Sequence, residues 1–253
     1  MTTVKNILEF LETLAPRDMK MDWDNVGLLC GGKDRPVTKI LVALDPFEHV
    51  CKEAADWGAE LIVTHHPLIF SAPREVTDET SVGRCIQLLC AHGISAINAH
   101  TNLDCAPGGV NEELARLLGL EEVEVIGREN LIRTGKTAAT LPEFLARVKN
   151  ALGCEGLRYV DGGKAVSKVA VGGGSCASAL MEVYDAGCDT FVTADVKYNQ
   201  FWDAKELGIN LIDAGHFQTE NPIVPVLAEK IRAAFPEIQV KVAESHTDCM
   251  KFY

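Results

Sequence analysis

The sequence predicts an α/β protein: two similar, pseudo-symmetric α/β layers of mostly parallel strands with flanking helices. Three observations carry this expectation. Short apolar runs at residues 40–44, 61–64 and 94–99 alternate with stretches of helical period and length. Glycines stand where those helices should stop, at Gly58, Gly93 and Gly119. A second series of strands and helices follows in the same order over residues 168–214.

Val4, Ile7, Leu8, Leu11 and Leu14 recur at helical spacing, so residues 4–14 form a surface helix. Residues 21–32 carry Trp23-Asp24-Asn25-Val26-Gly27-Leu28 and read as a strand or loop ending in Gly31-Gly32. The β-branched run at 40–44 is a buried strand. Asp45-Pro46 then opens a helix with proline in its first turn, running to residue 57. With the strand at 61–64 this makes a βαβ unit, whose crossover implies parallel strands and a right-handed connection. A helix at 81–92, a strand at 94–99, a loop at 100–109 and a helix at 110–118 follow. Residues 121–167 carry the least pattern: Leu141-Pro142 starts a helix to residue 152, with short strands around it. Further strands are expected at 168–171, 191–193, 209–214 and 239–243, and helices at 176–186, 199–207 and 221–234. No linker rich in Ser, Gly or Pro separates the halves, 1–120 and 121–253.

The bulk composition narrows the class. The 253 residues suffice for one large or two modest domains with a real core. Hydrophobic content of 47% and charged content of 24% are ordinary for a globular protein. The net charge of -12, with no basic cluster, leaves no nucleic-acid footprint. No apolar segment approaches the length of a membrane span, and nothing resembles a signal peptide. Nine scattered cysteines without a C-x-x-C point to free thiols in a reducing cytoplasm.

The chain also repeats itself. Gly58-Ala59-Glu60-Leu61-Ile62-Val63-Thr64 aligns with Gly187-Cys188-Asp189-Thr190-Phe191-Val192-Thr193. Gly93-Ile94-Ser95-Ala96-Ile97-Asn98-Ala99-His100 aligns with residues 208–216, ending Ala214-Gly215-His216, with one insertion. Four residues past each of those histidines stands a carboxylate, Asp104 or Glu220. The matched order favours an old duplication over chance likeness of short strands.

The chemistry concentrates at Thr64-His65-His66-Pro67. Neighbouring strand residues point to opposite faces. Two adjacent histidines therefore share a site only if the chain leaves the sheet there, or if each binds a different ion; the second alternative is expected. The candidate ligands are His65, His66, Asp104, His216 and Glu220. Five ligands exceed what one catalytic zinc takes and suit two ions about 3.5 to 4 Å apart. Nitrogen and oxygen donors without thiolate fit two divalent transition-metal ions per chain, Zn, Fe, Mn, Co or Ni. If the halves are duplicates, Asp104 and Glu220 should reach the same ion pair. His100 is a candidate base or substrate contact, with a structural histidine as the alternative. In the second half Ala194-Asp195-Val196-Lys197 replaces His65-His66-Pro67, so one composite site per chain is expected. Asp195 is a candidate for orienting an imidazole, and Lys197 for meeting an anionic substrate; a surface ion pair explains both equally. Gly172-Gly173-Gly174-Ser175 before a helix can cradle a phosphate, but it lacks the Walker Lys-Ser/Thr pattern and reads as a tight turn instead.

Taken in order, Trp23-Asp24-Asn25-Val26-Gly27-Leu28, Thr64-His65-His66-Pro67, Thr101-Asn102-Leu103-Asp104 and Gly215-His216-Phe217-Gln218-Thr219-Glu220 resemble the Nif-three-like dinuclear metal-centre family. Its members are commonly labelled GTP cyclohydrolase 1 type 2 homologues. The resemblance covers nearly the whole chain. It implies two interlocked α/β domains, a toroidal homohexamer with metal sites facing an internal cavity, and the five ligands already named. Asn221-Pro222 after Glu220 departs from the expected pattern and leaves the following helix start open. Two functions compete: a metal-dependent hydrolase of a nucleotide-like or heterocyclic substrate, and a non-catalytic metal-binding ring that acts as scaffold or regulatory partner. Metal storage or trafficking is a third.

Overall fold

The computed structural model describes all 253 residues. They form two compact units, Met1–Ala106 with Ile223–Asp248, and Pro107–Pro222 with Cys249–Tyr253. The first unit begins with α1 (Val4–Leu14), β1 (Gly27–Cys30), β2 (Lys39–Ala43), α2 (Glu48–Trp57), β3 (Leu61–Thr64), α3 (Ser81–His92), β4 (Ser95–Asn98) and α4 (Thr101–Cys105). The second contains α5 (Val110–Leu117), β5 (Glu121–Ile126), β6 (Ile132–Ala139), α6 (Leu141–Leu152), β7 (Arg158–Val160), β8 (Val166–Val171), α7 (Leu180–Asp185), β9 (Thr190–Thr193), α8 (Tyr198–Leu207), β10 (Asn210–Asp213) and α9 (His216–Glu220). The chain then returns to the first unit with α10 (Ile223–Ala234) and β11 (Gln239–Val242).

In the first unit the sheet order is β1-β4-β3-β2-β11. All neighbours are parallel except β1, which runs antiparallel to β4. Leu41, Ile62 and Ala96 stand in one row across β2, β3 and β4. They pack with Val50, Cys51 and Ala54 of α2 and with Cys85 and Leu89 of α3. Central strands covered in this way read as unbroken apolar runs, which made 40–44 and 61–64 legible.

The second sheet has the order β5-β6-β8-β9-β10-β7. Its centre, β8-β9-β10, is parallel, and β6 and β7 flank it antiparallel. Ala170, Phe191 and Leu211 form one row and face Leu180 and Val183 of α7 and Ala204 of α8. Val171, Val192 and Ile212 form the next row. That row faces the other way, onto Phe144, Val148 and Leu152 of α6 and Leu114 and Ala115 of α5. Two-residue alternation thus gives one sheet two apolar faces and helices on both.

The structure departs from the sequence-based expectations in several places. The helix expected from Asp45 begins at Glu48, after an extended Phe47, so Asp45 lies in the loop before it. The loop expected at 100–109 contains α4, and the stretch between the strand expected at 209–214 and the helix expected at 221–234 contains α9. The helix expected at 176–186 opens with a 3-10 turn over Ala177–Ala179 before α7. The unit boundary follows Ala106 rather than residue 120, because α5 packs onto the second sheet. Residues 223–248 belong to the first unit, because β11 pairs with β2.

Candidate metal centre

Each unit gathers histidines and carboxylates beyond the carboxyl ends of its parallel strands, where open α/β sheets bind ligands. In the first unit β3 stops at Thr64, whose hydroxyl donates to the His66 carbonyl (2.7 Å) and turns the chain. The chain therefore leaves the sheet, and the His65 and His66 rings come together, with centroids 4.9 Å apart. Two neighbouring ions can still take one ring each. The His100 ring joins them at 5.2 and 5.4 Å. One ring nitrogen from each of the three lies within 4.8 Å of the others. Asp104, four residues past His100 on α4, brings Oδ1 to 3.5 Å from His65 Nε2.

Every one of these imidazoles is held by its Nδ1. His65 Nδ1 donates to the Ala99 carbonyl at 2.9 Å, His66 Nδ1 to Asp45 Oδ1 at 2.7 Å, and His100 Nδ1 to Asp24 Oδ1 at 2.9 Å. A carbonyl accepts only, and an ionised carboxylate accepts only, so the network assigns the proton to Nδ1 and the lone pair to Nε2. That is the arrangement in which a histidine ligates a metal through Nε2.

Asp24 is fully buried and does more than hold His100. Its Oδ2 accepts from the Thr101 amide (3.0 Å) and hydroxyl (2.5 Å), fixing an anion at the start of α4. Burial alone would raise its pKa, but the hydrogen bonds from His100 and Thr101 outweigh it and hold the carboxyl well below the usual range. Asp45 behaves alike: burial pushes it up, and hydrogen bonds from His246 and His66 pull it far down.

In the second unit His216 opens α9 and Glu220 closes it, four residues on, so both share one helix face. His216 Nε2 lies 3.0 Å from Glu220 Oε2, and its Nδ1 donates to Asp195 Oδ2 at 2.7 Å. Asp195 sits in the loop after β9 with φ 53, a left-handed conformation that Asp tolerates better than most residues. Lys197 is exposed; its backbone N–H donates to Gln200 Oε1 at the start of α8, a capping role rather than a visible site contact.

The triple glycine is a tight turn with a purpose. The amides of Gly172, Gly173 and Gly174 already donate to the Val192 carbonyl, Asn111 Oδ1 and Thr219 Oγ1, so none is left for a phosphate. Gly174 has φ 61, and a Cβ there would lie 2.1 Å from Glu220 Oε1 and 3.1 Å from His216 Nε2. Only glycine lets that backbone approach the two side chains.

Fold and donor set together define an α/β protein with candidate histidine–carboxylate metal-binding groups. A sequence profile of the Duf34/NIF3 (NGG1p interacting factor 3) family matches residues 2–249, and the chain belongs to that family. A Clostridium perfringens relative named GTP cyclohydrolase 1 type 2 homolog is 34% identical, covering 98% of this chain and 99% of its own. The crystal structure of Staphylococcus aureus protein SA1388 superposes with a TM-score of 0.89 at 27% identity, covering 100% of this chain and 99% of that one. A Bacillus cereus protein related to NIF3 gives 0.92 at 23% identity over 100% and 99%, a likeness of fold. The family expected from the four motifs is thereby established.

Sequence reasoning missed Asp45 and His246 and weighed Asp24 only as part of a motif. In the sequence Asp45 reads as a helix start; His246 has no neighbouring signal. No helix is long and apolar enough to cross a membrane.

Proposed function

We propose that this chain is a dinuclear metal-binding protein and a metal-dependent hydrolase of a nucleotide-like or heterocyclic substrate. His65, His66, Asp104, His216 and Glu220 would hold two divalent transition-metal ions. The observation that supports this most is the shared orientation of His65, His66 and His216: each commits Nδ1 to an oxygen acceptor, so Nε2 is the nitrogen that would face a metal, and in His65 and His216 it lies 3.5 and 3.0 Å from the carboxylates of Asp104 and Glu220. An all-nitrogen-and-oxygen donor set suits Zn, Fe, Mn, Co or Ni.

When bound, such an ion pair supplies Lewis acidity and a water acidified toward neutral pH. The protein's own groups supply the rest. Asp45 and Asp195 hold the His66 and His216 rings in register. His100, held by the buried Asp24, presents Nε2 as the group that accepts or returns a proton during hydrolysis. Beside it the exposed rings of Trp23 and Phe70, 5.7 Å apart, offer apolar faces against which a planar heterocycle can lie. Lys197 is proposed to meet an anionic group of the substrate. By resemblance the chain is a cytoplasmic homohexamer.

The test is turnover of nucleotides and pterin-like heterocycles by metal-analysed protein. The hydrolase assignment expects steady turnover, lost on chelation and in His65→Ala. The family's description as an interacting factor favours a second function, a non-catalytic metal-binding ring. Metal-replete protein that turns over nothing in the panel while retaining two ions would support that one.

A further inference from the structure

The last structured segment of the first unit runs alongside the His66 support. After β11 the chain stays in register: the Ala243 amide donates to the Val42 carbonyl at 2.8 Å. Glu53 on α2 then accepts from the amides of Glu244 (3.0 and 3.1 Å) and Ser245 (2.9 Å), and pairs with Lys241 Nζ at 3.1 Å. These contacts deliver His246 to Asp45, 201 positions away in sequence, with Nε2 3.0 Å from Oδ2. The His246 side chain is only 5% exposed. Its ring stacks on Phe47 (6.0 Å, 15°) and on His49 (6.0 Å, 25°).

Asp45 therefore has both oxygens taken, Oδ1 by His66 and Oδ2 by His246. A carboxylate with one partner can rotate about its Cβ–Cγ bond. A carboxylate pinned at both oxygens by two packed imidazoles cannot, and the ring it holds inherits that rigidity. Groups that orient a ligand imidazole in this way commonly change metal affinity 10- to 100-fold when removed.

We propose that His246 is a positioning residue: the segment 243–246 acts as a strap that locks Asp45, and through it the His66 imidazole, for metal binding. This rests on His66 being a ligand, as proposed above. The function falls to side chains on three separate stretches, the loop after β2, the loop after β3 and the segment after β11, all within one unit.

Two readouts on the full-length protein test it. In metal-free protein, nitrogen-resolved NMR should show the His66 Nδ1 proton exchanging with solvent at least about tenfold faster in His246→Ala than in wild type. On loading with cobalt(II), His246→Ala should bind about 10- to 100-fold more weakly in chelator competition, with an altered visible spectrum. His246→Gln, whose amide can still donate to Asp45, should recover part of both effects, and it serves as the informative variant if His246→Ala does not fold. Unchanged His66 exchange and unchanged cobalt affinity in folded His246→Ala would overturn the strap. Wild-type protein that takes up no metal would instead overturn the metal-centre proposal, while the exchange measurement would still decide whether His246 positions His66.

Discussion

The loops after β3 and β9 leave equivalent strands and do different jobs. Each strand has four residues, ends in Thr and lies between two parallel neighbours. The first loop continues with His65 and His66, the second with Ala194 and Asp195. In the first unit this position supplies the imidazoles. In the second it supplies the carboxylate that holds an imidazole, His216. The next loops agree more closely. His100 and His216 each have Nδ1 on an aspartate and a carboxylate four residues on, in a five-residue helix. The two units thus share strands and short helices at these positions and differ in their strand-end loops, where function is commonly carried.

If the second unit contributes ligands, the largest effect should come from His216→Ala. Metal content is expected to fall from two ions per chain to one or none by elemental analysis, while circular dichroism of the metal-free protein stays unchanged. Stability should drop only by the lost binding linkage. An unfolded variant would show that the site cannot be separated from the scaffold.

Next in size is the contrast between the two holding aspartates. Asp24 is fully buried and bonds both His100 and the start of α4, whereas the Asp195 side chain is 49% exposed. Asp24→Asn should cost about 1–3 kcal/mol in denaturant unfolding, because one of the two acceptor oxygens becomes an amide NH2 facing buried donors. Asp195→Asn should leave unfolding nearly unchanged and weaken metal binding. Equal stability losses would erase the distinction between structural and site-directed support.

Gly174→Ala asks whether the glycine turn serves the second-unit pair. The left-handed backbone and the 2.1 Å approach to Glu220 Oε1 predict a loss of about 1–3 kcal/mol in stability together with reduced metal content. Stability lost with metal content intact would make the turn purely structural.

The smallest effect concerns acid. Burial works against ionisation of Glu53, but hydrogen bonds from Ser245 and Glu244 and the Lys241 ammonium draw its pKa from 4.5 to about 2. A depressed folded pKa means the unfolded chain binds protons first as pH falls. The contribution of Glu53 is thus complete above pH 4.5 and disappears toward pH 2. Metal-free Glu53→Gln should be less stable than wild type at pH 7, by about 1–2 kcal/mol, and the gap should close at low pH. A constant gap would mean the carboxylate charge is irrelevant to the strap.

How legible all this was depended on where the signal lies. The helices Val4–Leu14, Ser81–His92 and Leu141–Leu152 were readable to the residue, because amphipathic period, caps and glycine or proline signals agree there. Glu121–Ile126 was not, because its Glu-Val alternation is only a few residues long and both faces of the strand are largely exposed. The helices Thr101–Cys105 and His216–Glu220 are too short for a period to register. The histidine doublet and the spaced carboxylates made the candidate metal-binding groups legible. Asp24, Asp45 and His246 did not stand out, because their meaning lies in partners far away in sequence.

In the function proposed above, His65, His66 and Asp104 act with His216 and Glu220 on one pair of ions. Electron paramagnetic resonance of manganese(II)-loaded protein tests it most directly. Two ions bridged at about 3.5–4 Å should give a spin-coupled signal at two ions per chain, and the coupling should vanish in both His66→Ala and His216→Ala. An uncoupled signal in the wild type, or coupling that survives either substitution, would contradict it.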